Sequence, residues 1–255
     1  MAKIVAIANQ KGGVGKTTTA INLAACLAET GKKVLTIDLD PQGNMTSGLG
    51  VDKNNVENTL YELMLDECSI KESMTDTVVD GMKVIPSNVN LAGAEIELLG
   101  IPEKEYILRN AVDYIKEDYD FMIIDCMPSL GMLTINALTA ADSVLIPMEP
   151  EYYAADGLME LLKVYSAIKA KFNPDLKIEG IVFTFDTPTF NNSKRNKKAV
   201  ISTYGDKIRI FKESIPRAVT IAETASEGIS IFAYDGSGKG AQSYQKLVEG
   251  VLDHA

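Results

Sequence analysis

An open α/β fold is what the patterning of this chain predicts: a mostly parallel, twisted sheet of seven or eight strands with helices on both faces. Three observations carry that prediction. Short apolar runs rich in β-branched residues recur at residues 4–8, 33–39, 82–85, 119–124, 143–148 and 178–185, each of strand length. The stretches between them return apolar residues at helical spacing, so strands and helices alternate as parallel crossovers require. Several runs then end in glycine-rich or carboxylate-bearing turns, at the edge where open parallel sheets bind their ligands. With 255 residues, 46% of them apolar, the chain can bury one large core, and residues 1–255 read as one domain.

The first run opens into Lys11-Gly12-Gly13-Val14-Gly15-Lys16-Thr17-Thr18, and residues 19–29 continue as a helix with Ile21, Leu23, Ala24, Leu27 and Ala28 at helical spacing. Strand, glycine-rich turn and helix together make a phosphate site. Glycines let backbone N–H groups point inward, the helix N-terminus adds partial positive charge, and Lys16 reaches terminal phosphate oxygens. The hydroxyl of Thr17 is then placed to ligate Mg2+. The strict phosphate-loop pattern asks for glycine at the position of Gln10; here a second lysine, Lys11, precedes the glycines instead.

The second run ends in Asp38-Leu39-Asp40-Pro41-Gln42-Gly43-Asn44, so Asp38 and Asp40 emerge on the same sheet edge as the phosphate loop. Asp40 is the better candidate to orient or deprotonate an attacking water, because phosphoryl transfer needs mainly positioning and charge stabilisation. The plainer alternative is that both aspartates cap a helix over residues 44–49. Residues 51–80 are acidic and polar, with Leu60, Leu63 and Met64 marking one short helix. Helices are expected over 91–99 and 101–116, the latter with Pro102 at its first position and Tyr106, Ile107, Val112 and Ile115 on one face. The run at 119–124 delivers Asp125 to its end, the shape of a Walker B strand whose aspartate stands at Mg2+ directly or through an intervening ligand. The turn Pro128-Ser129-Leu130-Gly131 is placed to sense a γ-phosphate, and a long helix is expected over 155–172.

Composition narrows the chemistry. Cys26, Cys68 and Cys126 lie far apart, without the spacing of a disulfide framework, a zinc site or an iron–sulfur cluster. The one histidine, His254, adjoins the C-terminus, so catalysis has to rest on carboxylates, lysines and metal. No apolar run nears the ~18 residues that span a bilayer, and no basic-then-apolar leader precedes the first strand, so a cytosolic location is expected.

Residues 9–18, residues 38–44, Leu91-Ala92-Gly93-Ala94-Glu95-Ile96-Glu97-Leu98, Ile124-Asp125-Cys126 with Pro128-Ser129-Leu130-Gly131, and Glu151-Tyr152-Tyr153-Ala154 together resemble the ParA/Soj-type partition ATPases. These belong to the ParA/MinD family of P-loop NTPases, whose deviant loop carries the extra lysine. The resemblance runs over nearly the whole chain in order and spacing. It implies an ATP-bound sandwich homodimer, weak hydrolysis stimulated by a ParB-type centromere-binding partner, and nonspecific binding of double-stranded DNA by the ATP dimer. Carried over by position, Lys11 is the signature lysine that crosses to the partner's nucleotide and Lys16 the phosphate lysine. Thr17 is the Mg2+ ligand, Asp40 the hydrolysis aspartate beside the metal and Asp125 the Walker B acid, while Pro216 and the loop after Phe185 select adenine. The expected activity is that of a MgATP-dependent switch in DNA segregation, cytoplasmic and nucleoid-associated. A MinD-like positioning ATPase and a nucleotide-dependent scaffold without catalysis are the alternatives; intact Asp40 and Asp125 argue against the scaffold.

Departures from the family pattern fall mainly in the last third. Met127 stands where proline is usual, Thr189 near a usual arginine, and Ala218 and Thr220 where asparagine and a further arginine are usual. Gly228-Ile229 lacks the usual lysine. Residues 186–217 nevertheless carry eight basic residues against three acidic ones, a net of +5 that leaves −15 for the rest of a chain at −10 overall. Lys194, Arg195, Lys197, Lys198 and Arg217 are the candidate DNA contacts there, since a Debye length of ~8 Å screens the distant acids. Such a patch reads phosphates and not sequence. At the C-terminus, Tyr244, Leu247, Val248, Val251 and Leu252 form a helical stripe whose polar face sets Lys246 against Glu249 and Asp253. A membrane-lying helix would be basic there, so this one is expected to pack on the core, with no membrane partner.

Overall fold

Alternate residues of the central strands enter two different cores, which is how one sheet comes to be covered on both faces. The computed structural model describes residues 1–151, 154–187 and 189–253. Tyr152, Tyr153, Pro188 and His254, which figure in the expectations above or adjoin them, lie outside the described residues. The strands are β1 (Lys3–Ile7), β2 (Val34–Leu39), β3 (Thr75–Asp76), β4 (Met82–Ile85), β5 (Phe121–Cys126), β6 (Ser143–Met148) and β7 (Lys177–Phe183). They form a seven-stranded sheet in the order β3-β4-β2-β5-β1-β6-β7, parallel except for β3. The helices are α1 (Lys16–Glu29), α2 (Asn44–Gly48), α3 (Leu60–Met64), α4 (Leu91–Glu97), α5 (Ile107–Asp113) and α6 (Met132–Ala140). They continue with α7 (Ala154–Lys171), α8 (Asn191–Tyr204), α9 (Val219–Glu227), α10 (Ile231–Asp235) and α11 (Lys239–Leu252).

Ile4 and Ala6 of β1, Leu35 and Ile37 of β2, and Met122 and Ile124 of β5 face one core, which α3 to α8 cover. Val5, Ile7, Val34, Phe121 and Ile123 face the other, covered by α1, α2 and α9 to α11. The C-terminal stripe is part of this second core. Tyr244, Leu247, Val248 and Val251 are at most 2% exposed, and burying side chains of this size stabilises by roughly 1.5–3 kcal/mol each. α11 is therefore committed to the fold, as the sequence predicts. Among the described residues no helix is long and apolar enough to cross a membrane.

Four elements differ from expectation. The helix expected over 101–116 does not start at Pro102: Glu103 adopts φ +52°, which breaks helical continuity, so a single 3-10 turn at Lys104–Tyr106 precedes α5. The strand expected to reach Phe185 stops at Phe183, because Phe185 has φ +50°. β5 runs two residues past 124, so Asp125 sits inside the strand. The two-residue β3 had no readable signal in an acidic, polar stretch. At the other edge Ile210 forms an isolated parallel bridge with Ile181, so the seven-strand end of the expected range holds, with a vestige of an eighth.

Candidate functional site: a nucleotide-binding edge

Strand register gathers the chemistry. Asp125 of β5 is paired in register with Ile7 of β1 on one side and Asp38 of β2 on the other. The loop that follows β1 and the turn that follows β2 therefore flank the central strand at its carboxyl end.

The phosphate loop is held open by groups outside it. The buried Asn9 donates from Nδ2 to the Pro147 carbonyl at 2.7 Å and accepts from the Lys11 N–H at 3.0 Å. Thr184 donates its hydroxyl to the Val14 carbonyl at 2.8 Å, so β6 and β7 strap both ends of the loop. Gly13 and Gly15 take φ +73° and +79°, conformations that glycine alone adopts without strain. A Cβ on Gly15 would stand 3.5 Å from the ring of Phe185. α1 begins at Lys16 with no side-chain cap and no acid in its first turn, which leaves its first N–H groups and their partial positive charge turned to the loop.

Lys16 is 7% exposed, and its ammonium donates to the Lys11 carbonyl at 3.0 Å. Burial lowers its pKa, with Asp125, Cys126 and Asp40 acting in the opposite sense. Asp125 is fully buried, and neither of its carboxylate oxygens receives a well-formed hydrogen bond. Burial, and after it Asp38, hold its carboxyl well above the ordinary range; the nearby Thr17 hydroxyl and Lys16 only moderate the effect. A charged group left in this condition is costly. Thr17, at the uncapped start of α1, and Asp125 together suit a hard divalent cation that draws its other oxygen ligands from a polyphosphate. Among the described residues no group of three or more acidic, cysteine or histidine side chains could hold a metal unaided.

Asp38 and Asp40, two residues apart at the end of β2, sit in different environments. Asp38 is buried and accepts from the Thr46 N–H at 2.8 Å, the Thr46 hydroxyl at 2.7 Å and the Asp40 N–H at 3.2 Å. Burial pushes its carboxyl up to about 6 in spite of those bonds. It ties α2 to β2, as the plainer reading of this pair allows. Asp40 is half-buried, and its Oδ1 accepts from the Gln42 N–H at 2.9 Å. Its carboxylate stays at the open edge near Lys16.

The remaining candidates spread further. Gly12 and Gly13 are exposed, with nothing within 4 Å of an added Cβ, and Val14 is buried under the loop. Thr18 accepts from Asn22 Nδ2 at its carbonyl, 2.9 Å. The ammonium of Lys11 pairs with the exposed Glu151 carboxylate. Pro216 forms a parallel bridge with Asp186 and lines a cavity of about 240 Å3 with Ser214 and Gln242, whereas Phe185 is the residue of that loop that meets the phosphate loop.

The basic cluster separates into two sets. Lys194, Arg195 and Lys198 are exposed and, among the described residues, have no ion-pair partner. Lys197 is used inside: its ammonium bonds Asp186 Oδ2 and Ser214 Oγ, both at 2.8 Å. Arg217 bonds Glu149 Oε1 at 2.7 Å and lies 5.0 Å from the centre of the Phe185 ring. Sequence reasoning missed Asn9 and Thr184 as loop anchors and Phe185 as its neighbour. A strand followed by Asn was a usable signal for Asn9; a positive φ at phenylalanine has none.

A family model described as an AAA domain matches residues 2–178. The chain is 47% identical to the sporulation initiation inhibitor protein Soj of Bacillus subtilis, over 98% of its own length and 98% of that protein. It is 45% identical to the chromosome partitioning protein ParA of Myxococcus xanthus, over 96% of its length and 86% of that protein. Among solved structures, cobyrinic acid a,c-diamide synthase from Mycobacterium smegmatis, with bound ATP analog and magnesium, aligns with a TM-score of 0.88 at 35% identity, covering 100% of this chain and 96% of that one. With the deviant phosphate loop, the paired strand-end aspartates and these relatives in agreement, the chain belongs to the ParA/Soj family of chromosome-partitioning ATPases.

Proposed function

We propose that the protein is a MgATP-operated switch for DNA segregation, cytoplasmic and nucleoid-associated, which dimerises across bound nucleotide and is reset by slow hydrolysis under a ParB-type partner. The observation that carries this reading is Asp125, a fully buried carboxylate without a well-formed hydrogen bond, beside Thr17 at an uncapped helix N-terminus. Residues 12–18 hold the phosphates through backbone N–H groups, and Lys16 exchanges its loop carbonyl for phosphate oxygens. Thr17 and Asp125, with Asp40 at the margin, would hold Mg2+, which would supply charge neutralisation to the phosphates. Asp40 orients the water or takes its proton. Lys11 leaves Glu151 for the partner's nucleotide when two chains meet, and an exposed pair of this kind costs little to break. Phe185 and Pro216 border the base.

The exposed Lys194, Arg195 and Lys198 supply the nonspecific DNA surface. The test is binding of the Asp40→Ala protein to random-sequence duplex with ATP or with ADP across a salt series. ATP-dependent binding that weakens with salt supports the reading. An ATP dimer, verified by its elution volume, that ignores DNA at low salt removes DNA as the track.

A further inference from the structure

Asp40 leaves β2 in a tight turn over residues 40–43, closed by the Gly43 N–H on the Asp40 carbonyl at 2.9 Å. Two bonds fix the aspartate within it. Its own N–H donates to Asp38 Oδ1 at 3.2 Å, and its Oδ1 accepts from the Gln42 N–H at 2.9 Å. The aim of the carboxylate therefore depends on how residue 42 is held, and Gln42 is on the exposed side of the turn.

What holds it is Lys53. Its ammonium donates to the Gln42 carbonyl at 2.5 Å. The stem of the same lysine lies along the turn: a Cβ on Gly43 would stand 2.7 Å from Lys53 Cδ and 2.6 Å from the Ser87 carbonyl oxygen. The turn is thus gripped from two sides, by backbone after β4 and by a lysine side chain. Gly43, at φ +60°, permits both the bend and the close approach.

A folded loop presents this lysine. The Val51 N–H bonds the Thr46 carbonyl at 3.2 Å, which roots residues 51–55 on α2. The Asp52 carboxylate accepts from the Asn54 N–H at 3.1 Å and from Asn55 Nδ2, and its carbonyl accepts from the Asn55 N–H at 3.0 Å. That is an Asx turn with the half-buried Lys53 at its second position. Lys53 is the one base in residues 51–70, a stretch with five acidic residues, yet its ammonium is given to a carbonyl of the Asp40 turn.

We propose that Lys53 is a positioning residue for ATP hydrolysis: by fixing Gln42 it aims Asp40 at the attacking water, acting through the turn and not on the nucleotide. The inference rests on the reading of Asp40 as the residue that orients or deprotonates that water. An Asp40 free to swing would leave the phosphate loop intact and ATP bound. It would lose orientation, the part of catalysis most sensitive to small displacements.

Two variants separate the parts of the side chain. Lys53→Met keeps a stem on Gly43 and drops the ammonium, whereas Lys53→Arg keeps a cation. The first readout, hydrogen exchange of the apo protein, needs no nucleotide: in Lys53→Met the Gln42 and Gly43 amides should exchange about threefold faster or more, with the phosphate loop unchanged. The second is steady-state hydrolysis, where kcat should fall on the order of tenfold while KM for ATP stays within about twofold. Lys53→Arg should recover most of both. Asp40→Ala is measured alongside.

Unchanged exchange at Gln42 and Gly43 in Lys53→Met means that the lysine does not hold the turn, and the inference falls whatever Asp40 does. Faster exchange with wild-type kcat, in a protein that Asp40→Ala inactivates, overturns it too, because Asp40 then needs no clamp. A raised KM at constant kcat makes Lys53 a nucleotide-binding group instead. Wild-type turnover in Asp40→Ala removes the reading of Asp40 and the inference with it, a result that involves no change at Lys53 and so cannot be confused with the others.

Discussion

At the phosphate-loop edge, Asp125 keeps two buried carboxylate oxygens without a proper donor, and Lys16 has one carbonyl for its ammonium. Around α8 the charges are equally dense, yet the buried Asp186 is already matched by Lys197 and Ser193, and even the exposed Arg217 is paired with Glu149. What remains unpaired there is in water. The first region is incomplete without a ligand, whereas the second is satisfied as it stands. That difference explains why chemistry can be read from the one and only a tendency from the other, and it can be broken at either end.

The largest effect is expected at Lys16. If Lys16 holds the transferring phosphate as proposed, Lys16→Ala should lower ATP turnover on the order of 10²–10³-fold or more, with binding of a fluorescent ATP analogue lost as well. Turnover near wild type would mean that this edge does not do the chemistry. Asp40→Ala should cost turnover on the order of 10²-fold while leaving nucleotide binding intact, and the ATP dimer should accumulate in size-exclusion chromatography. Loss of binding along with turnover would move Asp40 from the reaction to the structure.

Asp125 offers a test on the apo protein. Its carboxyl is held well above the ordinary range and that of Asp38 is pushed from 3.8 to about 6, both chiefly by burial. A carboxyl raised in the folded state contributes stability that is fully present below its unfolded value and is lost as pH rises through the folded one. For Asp38 that window runs from 3.8 to about 6, and its full value is about 3 kcal/mol. Urea unfolding of the apo protein should therefore lose stability across this interval. Asp125→Asn, which keeps the shape and drops the charge, should raise apo stability at pH 7 by about 1–3 kcal/mol and shrink the stabilisation that MgATP provides. An apo protein made less stable by Asp125→Asn would show that the carboxylate is satisfied after all.

Legibility followed the same divide. That Lys11, Lys16, Asp40 and Asp125 come to one edge was legible, because each lies at or just after the carboxyl end of a short apolar run and parallel strands put those ends on the same edge. β4 and β6 came out at their observed bounds, since each is a short apolar run closed by a polar turn or a proline. The sequence favoured Asp40 over Asp38 for the water, but what holds Asp38 was not readable: its partner is Thr46, eight residues along, folding back to meet it. Nor was the engagement of Lys197, one turn from exposed lysines of the same type, because its partners Asp186 and Ser214 come from two other loops. Backbone at φ +50° and +52° at Phe185 and Glu103 moved two element ends for the same reason: the tertiary setting overrides local preference.

Lys197→Ala tests the satisfied region directly. It leaves Asp186, 6% exposed, with the Ser193 and Ser214 hydroxyls but no cation, and should cost about 1–3 kcal/mol in unfolding. Asp186 is held below its ordinary range despite burial, by its bonds to Lys197 and Ser193. A depressed carboxyl contributes stability above its unfolded value and loses it as pH falls through the folded one, so the deficit of the variant should narrow in acid. A loss independent of pH would place the cost in packing of the lysine stem.

The smallest effect on stability, and the sharpest on the comparison, belongs to Lys194, Arg195 and Lys198. Changing all three to alanine removes side chains that bond nothing among the described residues, so the thermal midpoint should barely move and unfolding should change by no more than about 0.5 kcal/mol. If these side chains are the proposed DNA surface, each neutralised phosphate contact carries about 0.9 in the slope of log affinity against log salt, and the triple variant should flatten that slope by about 2.7. Lys197→Ala should leave the slope within about one contact of wild type, because its ammonium is spent on Asp186. A triple variant that keeps the full slope, beside a Lys197→Ala protein that loses it, would invert the assignment: the internally paired lysine would then have to exchange Asp186 for phosphate on binding, and the region taken as satisfied would be the one that rearranges.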